Sequence, residues 1–152
     1  ILPSTTRSLP IALNRAREGV MLPIRDMLAE TGITEQQWRV LRVLEEEGPM
    51  EPTRIAELAC LLLPSLTRIL QKLDNKGLIS RKQDSQDKRK QVIQIMPSGA
   101  ALIEAHLPAS LAVLEQVKAQ SSNSQIEKLM PIRNCALPSC SPSGRAKSAV
   151  FP

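Results

Sequence analysis

Aromatic side chains are nearly absent from this sequence of 152 residues, which contains only Trp38 and Phe151. Proteins that bind single-stranded nucleic acids stack the bases on aromatic rings, so that class of binding site is excluded. Apolar residues still make up 42% of the chain, which is enough for an aliphatic core. The length predicts one folded domain, with or without an appended segment.

Cysteine and histidine are also scarce, with three residues and one residue respectively. Three cysteines do not form a disulfide framework. A single histidine provides neither a metal-binding cluster nor a pair of nucleophile and base. The sequence has no glycine-rich phosphate-binding loop either. We therefore expect a protein that is not an enzyme and that has no metal or other cofactor.

Long uncharged apolar runs are missing as well, and none reaches the roughly 18 residues of a membrane-spanning helix. The apolar stretch at residues 9–22 contains Arg15, Arg17 and Glu18, which is not typical of a signal peptide. A cytoplasmic protein without a membrane partner is expected. Position 1 is not methionine, so we expect the native start to lie elsewhere.

The formal net charge of +5 is concentrated in two segments. Between Lys76 and Lys90, six basic and two acidic side chains give a local net charge of +4. Residues 131–152 contain three basic and no acidic side chains. This second segment is rich in proline and serine and has no apolar period, so it is expected to be disordered.

Hydrophobic periodicity predicts a mainly α fold with a small β component. The pattern changes from helical to alternating at Leu78, which predicts a β-hairpin whose charged tip spans residues 81–90. A capping box is expected where Thr34 and Gln37 open a helix. The predicted helices cover residues 9–30, 34–47, a short stretch from Pro52, 65–76, a long stretch from Ser98 and 125–130.

Two short helices, an amphipathic helix with a polar outer face and a basic hairpin form the outline of a winged helix-turn-helix. Such a lobe binds double-stranded DNA, because the major groove admits one helix whose N-terminal side chains reach the base edges. We expect Arg68 to contact guanine and Asp87 to hold the guanidinium of Arg89. The candidate DNA-binding residues are Ser65, Thr67, Arg68, Lys72, Arg81, Lys82, Asp87, Lys88, Arg89 and Lys90.

Two motifs in register resemble the MarR family. The helix residues 66–73, with the Lys-Gly-Leu-Ile that begins at Lys76, are similar to its recognition helix. The Asp-Lys-Arg-Lys that begins at Asp87, with Gly99 following, is similar to its wing signature. The resemblance covers about residues 9 to 130. Within the family, residues 16–18, 34–39 and 59–67 look like the regulators of homoprotocatechuate degradation.

The resemblance implies a homodimeric transcriptional regulator, usually a repressor, that binds a pseudo-palindromic operator. Residues 9–33 and 98–130 would form the helical dimerisation region, and residues 34–97 the DNA-binding lobe. A small aromatic carboxylate bound between the two regions would release the DNA, which suggests control of aromatic compound degradation. Pro131 ends the last helix early, so dimerisation would depend more on residues 9–30 and 98–120.

An anionic aromatic ligand needs a cation and a flat apolar wall, which Arg17 and Trp38 can supply. In related family members an arginine and a tryptophan at matching positions contact aromatic acids. Arg15 is a second candidate for the cation, and His106 is a further candidate for the pocket. The other interpretation is that Trp38 is simply the large ring of the core and that Arg17 lies on the surface or at the dimer contact.

Two alternative functions remain open at this point. The first is a redox-responsive regulator, although Cys60 is expected to be a small core residue and Cys135 and Cys140 lie in the predicted tail. The second is a helical interaction module that does not bind DNA.

Overall fold

The computed structural model describes residue 5 and residues 8–120. The described residues up to Val117 belong to one compact unit, which contains every site discussed below, and residues 118–120 belong to a second unit. The predicted helix at 125–130 and the predicted tail at 131–152 lie outside the described residues. The mainly helical fold with one small antiparallel sheet is confirmed. The elements are α1 (Leu9–Leu28), α2 (Glu35–Glu47), α3 (Pro52–Leu58), α4 (Leu63–Asn75), β1 (Ile79–Gln83), β2 (Gln91–Ile95) and α5 (Pro97–Gln120).

The start of α2 has the predicted capping box. The Thr34 hydroxyl accepts the backbone N–H of Gln37 at 3.3 Å, and the side-chain oxygen of Gln37 accepts the backbone N–H of Thr34 at 3.1 Å. Two of the otherwise unpaired N–H groups at this helix end are thereby satisfied. A short 3-10 turn, Ala29–Thr31, and Gly32 at φ 69° separate α1 from α2.

The core is aliphatic, as the shortage of aromatic residues predicts. Trp38 is its one large ring and is 6% exposed. The inward residues predicted for α4 are all buried, while its predicted polar face is exposed. The largest fully buried side chains are Leu28, Leu41, Leu44, Ile55, Leu66, Leu70, Leu73, Ile93 and Val40.

The hairpin is more regular than predicted. Its register pairs Ile79 with Ile95 and Gln83 with Gln91, so the first three residues of the expected loop belong to β1. Backbone pairing depends on a partner strand and not on side-chain polarity, which is why the charged residues stay in the ladder. Pro97 begins α5, because proline lacks the N–H for a strand ladder but suits a first helical turn.

The start of α5 lies directly against the base of the hairpin. A Cβ at Gly99 would be 2.4 Å from the Leu78 carbonyl oxygen and 2.9 Å from Cγ1 of Ile95. The Ser98 hydroxyl donates a hydrogen bond of 2.6 Å to the Gly77 carbonyl. Only glycine fits at position 99, so a steric constraint explains why the motif of the hairpin is followed by a glycine here.

Much of the predicted apolar side of α1 and α5 remains uncovered in a single chain. Leu9 is 69% exposed and Leu111 is 51% exposed. In α5 the buried residues are Gly99, Ile103 and Ser110, so most of its leucines do not contribute to the core of one chain. In the described part of the chain, no helix combines the length and apolar character needed to cross a membrane.

Cys60 is a correction to the sequence interpretation. It is exposed and has a φ of 52°, so it is not a small core residue. The tight turn between α3 and α4 places it outward, because Ala59 before it fills the buried position. Its N–H still bonds to the Glu57 carbonyl at 3.3 Å, which stabilises this left-handed residue.

Candidate nucleic-acid interface and ligand cavity

The outer face of α4 presents a continuous row of polar side chains. Ser65, Thr67, Arg68 and Lys72 are exposed. The Thr67 hydroxyl donates to the Leu63 carbonyl at 3.1 Å, which leaves its oxygen lone pairs free to accept a hydrogen bond. The row begins in the first turn of the helix, where side chains can reach base edges.

The tip of the hairpin, residues 84–90, is organised by two carboxylates. Asp84 accepts the backbone N–H groups of Gln86 at 2.7 Å and Asp87 at 3.2 Å. These hydrogen bonds hold the pKa of Asp84 below its usual value, and the one from Gln86 has the larger effect. Lys88 and Arg89 lie exposed on the turn that Asp84 shapes.

Asp87 does not act as predicted. Its carboxylate accepts the backbone N–H of Arg89 at 3.0 Å, so it caps the turn and does not hold the guanidinium. A carboxylate two residues before an N–H closes a local turn more readily than it reaches a long flexible side chain. Lys90 forms an ion pair of 3.4 Å with Glu51, at the start of α3.

Arg81 lies between the hairpin and α4, away from the tip. One terminal nitrogen donates to the side-chain oxygen of Gln71 at 3.1 Å, and the other donates to that of Gln91 at 3.2 Å. Gln71 in turn donates to Asn75 at 3.0 Å. The sequence interpretation missed these contacts, since nothing in the spacing of these residues shows that they meet.

A cavity of about 360 Å³ between α1 and α2 brings Arg17 and Trp38 together. Arg39 and Arg42 also line it, and the sequence analysis did not identify them. A signal was present, because residues 35, 38, 39 and 42 have the spacing of one helical face. The full lining consists of Arg17, Met21, Ile24, Glu35, Trp38, Arg39 and Arg42.

The three arginines of this cavity differ in their partners. Glu35 pairs with Arg39 at 2.7 Å and with Arg17 at 3.8 Å. Arg39 also donates to the Ala59 carbonyl at 2.8 Å, so its guanidinium is fixed. Within the described residues Arg42 has neither an ion pair nor a hydrogen bond. The cavity therefore has net positive charge and one uncommitted guanidinium, which suits an anion.

A second cavity, of about 490 Å³, shares Arg17 and Glu35 with the first and extends to Arg25. Arg25 forms a two-pronged pair with Glu18 at 2.8 and 3.0 Å. These hydrogen bonds, donated by Arg25 and accepted by Glu18, lower the pKa of Glu18 and raise the pKa of Arg25. Both groups therefore remain charged near neutral pH.

The remaining two predicted ligand residues lie outside both cavities. Arg15 is exposed on α1 and lines neither. His106 contacts Trp38 edge to face, with ring centroids 6.4 Å apart at 85°. Its Nδ1 lies 3.0 Å from the Leu102 carbonyl, and because a carbonyl only accepts, Nδ1 is the protonated nitrogen. His106 therefore contacts the tryptophan ring without lining either cavity.

The comparisons with known proteins agree on one family. The MarR family model matches residues 33–90. FarR, an HTH-type transcriptional regulator of Neisseria gonorrhoeae, is 40% identical over 97 residues, which is 64% of this chain and 66% of that protein. The homoprotocatechuate degradative operon repressor of Escherichia coli is 36% identical over 122 residues, or 80% of this chain and 82% of that protein.

A solved structure gives the same result for the whole fold. NadR in complex with 4-hydroxyphenylacetate is similar with a TM-score of 0.72 and 31% identity, covering 87% of this chain and 94% of NadR. The chain belongs to the MarR family of transcriptional regulators.

Proposed function

We propose that this protein is a sequence-specific repressor that binds double-stranded DNA at a pseudo-palindromic operator and leaves it when a small aromatic acid binds. The observation that carries the proposal is the exposed polar row of α4 beside an ordered basic hairpin. A helix of this kind fits the major groove, and a basic hairpin fits the adjacent minor groove or backbone. Residues 34–97 are the proposed DNA-binding lobe.

On α4, Arg68 is proposed to form paired hydrogen bonds to guanine, with Ser65 and Thr67 contacting bases or phosphates. Lys72, one turn further along the helix, contacts phosphate. The hairpin contributes its exposed basic side chains, while Asp87 shapes the turn that carries them. These hairpin residues are Lys82, Lys88, Arg89 and Lys90.

Two copies of the chain are proposed to dimerise through residues 9–33 and 98–130. Support comes from the leucines of α1 and α5 that one chain leaves exposed, among them Leu9, Leu13, Leu111 and Leu114. Large apolar side chains exposed in this number are typical of a surface that is covered in an oligomer. A two-fold dimer matches two half-sites about one DNA turn apart.

The ligand is proposed to be a small aromatic carboxylate in the cavity of Arg17 and Trp38. The volume of about 360 Å³ lies in the usual range for small-molecule sites. Arg42 has the uncommitted guanidinium for the carboxylate, and Trp38 contributes an apolar wall. The names of the homoprotocatechuate repressor and of the NadR complex support phenylacetates as ligands and aromatic degradation as the controlled process.

DNA binding is tested with a duplex selected from a random-sequence pool, measured by fluorescence anisotropy. Arg68→Ala should weaken binding by about 1–3 kcal/mol and relax the preference at one base pair. Arg25→Ala is the matched control, since it removes the same charge from α1. If selection yields no consensus sequence and Arg68→Ala binds DNA with the same affinity as Arg25→Ala, the protein is better described as a helical interaction module that does not bind DNA.

Ligand binding is tested by adding 4-hydroxyphenylacetate and following the melting temperature and the release of the selected duplex. We expect a higher melting temperature and release of DNA, both lost in Arg42→Ala and Arg17→Ala because the carboxylate loses its cation. Arg15→Ala removes the same charge outside the cavities and should respond like the unchanged protein. Equal binding of the uncharged 4-hydroxyphenylacetamide would contradict the proposed role of the arginines.

A further inference from the structure

Arg81 has a position that differs from that of the other basic residues of the hairpin. It is half-buried, whereas Lys82, Lys88 and Arg89 are exposed. We propose that Arg81 is a positioning residue that fixes the hairpin relative to α4, and that it does not contact DNA itself. The inference rests on the proposed function and assigns a separate role to one residue of the predicted DNA-binding set.

The contacts of Arg81 connect three elements. Its planar guanidinium donates to Gln71 on α4 at 3.1 Å and to Gln91 on β2 at 3.2 Å. We call this set the Arg81 bridge. A guanidinium can hold two acceptors in a fixed fork, which a lysine ammonium cannot do. Gln71 is further bonded to Asn75 at 3.0 Å, so the bridge reaches the last turn of α4.

The strand register explains why Arg81 can reach Gln91. Arg81 is opposite Ile93, and Gln83 is opposite Gln91, so Arg81 and Gln91 are diagonal neighbours on one face of the hairpin. That face is turned toward α4, since the same guanidinium also reaches Gln71. The Arg81 bridge therefore lies in the gap between helix and hairpin.

Backbone pairing also fixes the hairpin, both at mid-strand on the other edge of β2 and at its base. Met50 exchanges two hydrogen bonds with Ile93, at 3.1 and 2.8 Å, and Met96 donates to Leu78 at 2.9 Å. The Arg81 bridge adds a side-chain connection from mid-strand to α4, and it sets the angle at which the tip leaves the helix. Helix and tip can then enter neighbouring grooves as one rigid unit.

The salt dependence of DNA binding separates positioning from phosphate contact. Arg81→Lys keeps the charge but breaks the fork, so affinity for the selected duplex should fall roughly tenfold with an unchanged salt slope. Lys82→Gln is the control. Its slope of log binding constant against log salt concentration should become shallower by about 0.9, the value for one lost phosphate contact. Wild-type affinity in Arg81→Lys, with a reduced slope in Arg81→Gln, would overturn the proposal.

A double-mutant cycle separates positioning from base contact. Gln91→Ala removes one arm of the Arg81 bridge on the hairpin side, so its effect on affinity should largely disappear when Arg81→Lys is already present. Additive effects of the two changes, together with a relaxed preference at one base pair in Arg81→Lys, would mean that Arg81 reads a base and that the proposal is wrong.

The DNA-free protein gives an independent readout. Arg81→Lys should shift the side-chain amide NMR signals of Gln71 and Gln91, while Lys82→Gln should leave them in place; circular dichroism checks that each variant folds. Unchanged amide signals in Arg81→Lys would overturn the inference even if DNA binding is observed. If no duplex is ever selected, the proposed function fails, and the amide signals still decide whether the bridge exists.

Discussion

Gly99 illustrates how the absence of one side chain determines where α5 begins. Because a Cβ there would be 2.4 Å from the Leu78 carbonyl oxygen, Gly99→Ala should destabilise the protein by about 1–3 kcal/mol. Gly19→Ala is the matched control, since nothing lies within 4 Å of its added Cβ and alanine favours a helix by roughly 0.5–1 kcal/mol. Urea unfolding followed by circular dichroism measures both. Equal stability of Gly99→Ala and the parent chain would contradict this packing.

Asp84 links the shape of the hairpin tip to pH. Its pKa is lower in the folded chain because the N–H groups of Gln86 and Asp87 donate to its carboxylate. The stabilisation is therefore present above the pKa of the unfolded chain and is lost as pH falls through the folded pKa. Amide shifts of Gln86 and Asp87 should follow this acid titration.

The control for this titration is Asp84→Asn, which keeps an acceptor oxygen but has no charge to lose. In that variant the amide shift of Gln86 should no longer follow an acid titration. The same titration of Gln86 in both proteins would show that another group organises the tip.

The capping box is the element-scale feature with the clearest energetic consequence. Thr34→Ala removes the acceptor for the N–H of Gln37 and should cost about 0.5–2 kcal/mol of unfolding free energy. Thr53→Ala, at an exposed position of α3, should change it by less than about 0.5 kcal/mol. Similar losses in urea unfolding of the two variants would argue against a specific contribution from the cap.

The elements that sequence reasoning predicted well depend on local chemistry. The cap at Thr34, the proline-opened turn of α3 and the buried side of α4 all follow from residues within a few positions of one another. Cys60 was misjudged, and Arg42 and the contacts of Arg81 were missed, because a turn conformation, a cavity lining and a bridge depend on which elements meet in space. Arg17 and Trp38 were reached from ligand chemistry, and the helical spacing of residues 35, 38, 39 and 42 was the signal that could have added Arg39 and Arg42.

At the scale of the whole molecule, the uncovered leucines predict the oligomeric state. Leu111→Asp places a charge on a side chain of α5 that is 51% exposed in one chain but would be buried in the dimer. Sedimentation should show a monomer, and binding to the selected duplex should be lost with it. Leu58→Asp makes the same change on α3 and should leave the dimer intact. A dimeric Leu111→Asp would mean that other residues form the contact.

The small sheet has a consequence for the free protein in solution. β2 pairs with β1 along one edge, and at Ile93 it pairs with Met50 along the other, so the open edge belongs to β1. An open edge can template the addition of a strand from another molecule, and natural proteins oppose this with short strands and charged side chains. β1 has five residues and includes Arg81 and Lys82. We therefore expect the basic character of this strand also to protect the DNA-free protein against aggregation.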